Sequence, residues 1–123
     1  MLISIDTEDS VANTFVNKKV DLTSTSATTL YTVPTATTAV IKSILVSEDS
    51  GNADTITVTI TDTDAAVFSL FKVKAISANA TSELLSAPLV VAESEIIKVT
   101  AATANRLHVV LSALEIKPRI VTS

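Results

Sequence analysis

The stretch Thr55-Ile56-Thr57-Val58-Thr59-Ile60-Thr61-Asp62 limits this chain's fold more than any other segment. Apolar Ile56, Val58 and Ile60 alternate with threonines over eight residues. Side chains in a strand leave the backbone on alternate sides, so this period of two predicts a half-buried β-strand with an apolar face and a hydroxyl face. Similar short runs rich in Val, Ile and Thr recur along the chain, separated by Ser, Thr, Asp, Asn, Ala or Pro. They place strands near residues 20–25, 28–33, 39–47, 55–62, 66–76, 82–86, 89–92, 95–101 and 106–116.

No long helical crossover separates these runs, and parallel neighbours need one, so antiparallel pairing is expected throughout. The expected fold class is all-β: two packed antiparallel sheets, a β-sandwich with jelly-roll-like connections and an extended N-terminal arm. At 12.9 kDa the chain buries enough surface for one such core and not for two. Residues 1–19 show no sustained period and carry Asp6, Glu8 and Asp9 ahead of Lys18 and Lys19, which reads as the arm. Residues 20–116 are then the sandwich, and 117–123 a C-terminal tail.

Local signals refine this layout. Glu48 to Asp54 contains the only glycine, Gly51, and is expected as a polar hairpin connection between the 39–47 and 55–62 strands. Pro34 and Pro88 should end strands or sit at edges, because proline donates no ladder hydrogen bond. Asp62-Thr63-Asp64 predicts a compact turn before Val67–Ile76, in which Val67, Phe71, Val73 and Ala75 are expected to face inward. Phe68, Leu70 and Ile76 then share the outer side with Lys72 and Lys74. In the last run, both sides are apolar, as expected for a central strand or one covered by another subunit. The residues expected at a protein contact are Leu2, Ile3, Ile5 and Phe15 from the arm, with Phe68, Leu70 and Ile76 from the lysine side.

Composition excludes much chemistry. With no cysteine there is no disulfide, thiol nucleophile or thiolate metal site. A net charge of −4 and an aromatic content of 3 % provide neither a basic field nor a stacking platform, so nucleic-acid binding is not expected. Charged or polar residues break every apolar run before the length of a bilayer span, so no membrane partner is expected. The acidic N-terminus does not read as a secretory signal. One glycine cannot build a phosphate-cradling loop.

The single histidine, His108, needs an oriented nucleophile and a third group to act as a relay base. A surface or interface role is the simpler expectation. Asp49, Asn52 and Asp54 supply oxygens that suit calcium but lack EF-hand spacing. The pairs Asp62/Asp64 and Glu93/Glu95 are expected to be solvated turn residues rather than glycosidic acids. Asn79-Ala80-Thr81 matches the short glycosylation pattern, which a Thr-rich chain produces by chance. The expectation is therefore a protein that is not an enzyme and takes no cofactor or metal.

Four segments carry a family resemblance: Leu22-Thr23-Ser24-Thr25-Ser26-Ala27-Thr28-Thr29-Leu30-Tyr31-Thr32-Val33-Pro34, followed by Ala39-Val40-Ile41-Lys42-Ser43-Ile44, and the closing Ile96–Ala101 and Val109–Ile116 runs. Together with Thr55–Asp62, they resemble the strands of small β-sandwich structural proteins of tailed bacteriophage virions. Thr35-Ala36-Thr37 and Glu93-Ser94-Glu95 depart from that pattern, since relatives often place glycine there. The resemblance implies a multi-copy, homo-oligomeric virion component that decorates or cements the capsid through the major capsid protein. It equally implies neck, tail or baseplate proteins as alternatives. A receptor- or glycan-binding module is the rival reading.

Overall fold

The computed structural model describes residues 11–118. Nine strands run through them: β1 (Val11–Asp21), β2 (Thr28–Thr32), β3 (Thr38–Glu48), β4 (Asp54–Thr61), β5 (Val67–Ile76), β6 (Thr81–Glu83), β7 (Leu89–Val91), β8 (Ile96–Ala101) and β9 (Leu107–Pro118). They form two antiparallel sheets. Sheet A has the order β1-β9-β3-β6, with β7 also on β3, and sheet B the order β2-β8-β4-β5.

Short β6 and β7 pair with successive parts of β3, at Leu45–Ser47 and Ala39–Ile41. They act as one edge strand interrupted at Pro88, and counting them as one gives the eight-position strand order of a jelly roll. The chain changes sheet at every connection except β4 to β5 and β6 to β7.

The core lies between the sheets and follows from alternation. Leu107, Val109, Leu111 and Ala113 of β9 are buried, as are Ile97, Val99 and Ala101 of β8, and Ile56 and Val58 of β4. In β3, Ala39 and Ile41 point inward, a register shift at Lys42 adds one residue, and Ile44 and Val46 then point inward. Such a bulge moves every later side chain to the other parity. A fully buried aliphatic side chain of this kind contributes about 1.5–3 kcal/mol.

Several expectations change. The sandwich starts earlier than residue 20 and ends later than 116: residues 11–19 lie in β1, paired without a register shift along β9, and Lys117 and Pro118 close β9. Among residues 12–21 of β1, Ala12, Val16 and Val20 are half-buried, while Thr14 and Lys18 on the same side are exposed. An edge strand that covers the core at every fourth residue hides its period of two. Leu2, Ile3 and Ile5 lie outside the described residues.

The Glu48–Asp54 segment is no hairpin, because β3 is in sheet A and β4 in sheet B. In β5 the expected parity fails: Val67, Val73 and Ala75 are exposed and Ile76 is fully buried. Register shifts explain it, since Lys72 and Val73 together oppose Thr57, and Leu70 is an extra residue between the Phe71 and Ser69 pairs. Ile76 is therefore a core residue and not a contact residue.

Candidate assembly surface

Apart from Asp64, each acidic group considered for chemistry is occupied by a neighbouring part of the chain. Glu48, buried at the end of β3, accepts the backbone N–H groups of Ser50 (2.8 Å), Gly51 (3.2 Å) and Asn79 (2.9 Å), and the Ser50 hydroxyl. Burial opposes its ionisation, but these bonds, led by Ser50, prevail and hold its pKa at about 2. Asp54 accepts the Thr103 N–H at 3.1 Å. Asn52 turns back to the Ser50 carbonyl. Asp49 stands 3.6 Å from His108 Nδ1. Asp49, Asn52 and Asp54 are thus each engaged with a different part of the chain.

The remaining acids close turns. Asp62 Oδ1 accepts the N–H groups of Asp64 and Ala66, both at 2.9 Å. Glu93 accepts the Ala36 N–H at 3.0 Å and Glu95 that of Ala92 at 2.8 Å. Glu83 holds the β3 bulge through the Ser43 hydroxyl and the Ile44 N–H. Desolvation raises the Glu83 pKa, yet these bonds bring it below the usual carboxylate range. Sequence reasoning read the acids as solvated, and missed that a chain nearly free of glycine needs them to hold its turns.

The backbone supports this reading. Besides Gly51, Ala36, Ala65, Val73, Asn79, Ser94 and Asn105 have positive φ. Each of these six donates its N–H to a fixed acceptor: the Glu93 carboxylate, Asp62 carbonyl, Thr57 hydroxyl, Glu48 carboxylate, Val33 carbonyl and Leu22 carbonyl respectively. Ala36 and Ser94 occupy the two turns where glycine was expected. Both adopt the left-handed conformation that glycine favours, with hydrogen bonds offsetting the strain.

His108 lies on the outer side of sheet A, with Nε2 3.2 Å from Asp21 Oδ1. Both ring nitrogens thus face carboxylates. A nucleophilic relay needs one of them directed at a hydroxyl or thiol, so this arrangement does not build one. The hollow beside it, between Lys19–Asp21 and His108–Val110, is shallow and open.

No family model and no curated protein matches the chain. Among solved structures, it is similar to a chain of Bacillus endospore appendages, a family of disulfide-linked pili. That match has a TM-score of 0.55 and 10 % identity, over 89 % of this chain and 88 % of that one. It is also aligned with a chain of the cyanophage Pam1 capsid asymmetric unit, with a TM-score of 0.41 and 19 % identity, over 88 % and 85 % of the two chains. The first likeness shows a shared fold. The second is too distant to carry an argument.

What distinguishes this molecule is its two outer faces. On sheet B, Thr55, Thr57, Thr59 and Thr61 of β4 stand beside Thr100 and Lys98 of β8, a polar centre, with Val67, Phe68 and Val73 exposed along the edge strand β5. On sheet A, register places Phe15 beside Leu114, Leu114 beside Val40, and Val40 beside Val90. Phe15 is 79 % exposed and Val90 65 %. Of the other residues expected at a contact, Phe68 is exposed at the end of sheet B, while Leu70 packs partly against the core.

Proposed function

We propose that this chain is a non-enzymatic virion structural protein, present in many copies, that decorates or cements a bacteriophage capsid through protein-protein contacts. The observation that carries this reading is the apolar row across the outer face of sheet A, on a molecule whose histidine and most of whose described acidic groups are engaged in holding its own turns and strand ends. The strand sequences that resemble virion sandwich proteins support it, as does a jelly-roll order that suits side-by-side packing of many copies. Neck, tail and baseplate positions make the same physical demands. Because the chain lacks cysteine, its contacts carry no disulfide, unlike those of the disulfide-linked pili that share its fold.

Mass spectrometry and electron microscopy of purified particles test the reading. The expected result is this chain at fixed stoichiometry in intact particles, with density on the capsid shell. Its absence from particles overturns the virion reading, and density confined to the neck or tail overturns the capsid assignment. A glycan-array signal that follows loop substitutions would instead favour the receptor-binding module.

A further inference from the structure

The outward side chains of sheet A stand in rows, and a second row has informative ends. It reads Lys19, Val110, Leu45, Glu83 from β1 to β6. Its middle is apolar, with a cation at one edge of the sheet and a carboxylate at the other. Between it and the Phe15–Leu114–Val40–Val90 row, Ser112 pairs with Ser43.

We propose that this face binds a second copy of itself, packed face to face about a two-fold axis parallel to the strands. Such an axis keeps each row at its own level and exchanges its ends. Phe15 then meets Val90 of the second copy, Leu114 meets Val40, Ser112 meets Ser43, and Lys19 meets Glu83, each contact occurring twice, as an isologous interface requires. An axis across the strands would instead lay Phe15 over Lys19. Lys42, exposed at the bulge, has no acid opposite, and its long stem can carry the ammonium to the rim.

Size agrees with this occupant. Four strands about 4.8 Å apart and about ten residues at roughly 3.3 Å each give a face of roughly 600 Å² in projection. Specific interfaces bury about 800 Å² of accessible surface per partner, and most lattice contacts less than about 400 Å². The projection exceeds the lattice range and reaches the lower end of the specific range, about 600 Å² per partner. On sheet B the exposed apolar residues Val67, Phe68 and Val73 lie along the single edge strand β5, beside the threonines of β4, and form no row across the sheet.

Sedimentation of the full chain tests this, with circular dichroism confirming that each variant folds. The chain is expected to dimerise with concentration. Phe15→Glu alone and Val90→Lys alone each weaken the dimer at least tenfold, whereas Val67→Glu on sheet B leaves it unchanged. Mixing the Phe15→Glu and Val90→Lys chains restores association, because one contact becomes a Glu–Lys pair and the other regains Phe15 against Val90. A chain that stays monomeric at about 100 µM, where even a weak specific pair with a micromolar Kd would be assembled, overturns the proposal. So does a mixture that fails to recover, or an equal effect of Val67→Glu. The proposal rests on this surface alone, so absence from particles would defeat the virion reading and leave it standing.

Discussion

At the scale of single residues, stability depends on a few polar groups buried at the sandwich's margins. Tyr31 of β2 donates its hydroxyl to Glu115 Oε2 of β9 at 2.6 Å, and Lys117 lies 3.6 Å from the other oxygen. This bond ties sheet B to sheet A. Tyr31→Phe removes the donor and leaves a buried carboxylate with Lys117 alone, which should cost about 1–3 kcal/mol in urea unfolding. Burial foremost, and then the Glu115 hydrogen bond and charge, raise the Tyr31 pKa above its ordinary value of 10.0. A raised folded-state pKa means that the neutral phenol favours folding. Its contribution is full below pH 10 and is lost as pH rises beyond, so the wild type should show an alkaline destabilisation that Tyr31→Phe lacks.

Glu48 has the opposite sign. Its pKa is lowered from 4.5 to about 2, so its contribution is present above pH 4.5 and fades as pH falls toward 2. Glu48→Gln should melt lower than wild type at pH 7, and the difference should shrink through that window in thermal melts. Val73 is a different case, since a β-branched residue at φ 53 is strained. Val73→Gly relieves about 1–3 kcal/mol of strain and forfeits about 0.5–1 kcal/mol to unfolded-chain entropy. A net gain of about 1 kcal/mol is expected in urea unfolding.

At the scale of elements, position in the sheet decides how well a strand can be read. The alternation in β4, β8 and β9 was visible because neighbours pair on both sides and the core covers one whole face. β5 was misread at Val67, Val73 and Ala75 because two bulges change its parity, and a bulge depends on what the partner strand does. β1 was hidden because an edge strand loses burial at every second inward position. These differences should appear in hydrogen exchange. Amides of β9 and β3 are expected to exchange last, and those of β1 and β5 earlier through local opening. Early exchange across β9 would contradict its central place. Leu111→Ala, in the middle of β9, should cost about 2–5 kcal/mol, the usual range for such a core truncation.

At the scale of the whole molecule, the first described strand pairs with the last, Val11 opposite Pro118. Long-range pairing of this kind must close large loops before contacts stabilise it, so folding is expected in milliseconds to seconds rather than microseconds. Stopped-flow refolding checks this. Deleting residues 1–19 removes all of β1 but Val20 and Asp21, and uncovers the edge of β9. The shortened chain should lose thermal stability and aggregate more readily through that edge.

Period-two alternation, the absence of cysteine, a single glycine and the spacing of prolines were enough to establish an antiparallel sandwich and to exclude thiol and phosphate-loop chemistry. Those are local properties, carried by side-chain chemistry and by the geometry of each strand. Which strands are edges, where bulges switch parity, and how Phe15, Leu114, Val40 and Val90 come to stand in one row were settled only in the folded molecule. These residues lie far apart along the chain, and a shift of one residue in any of three registers would have scattered the row across two faces.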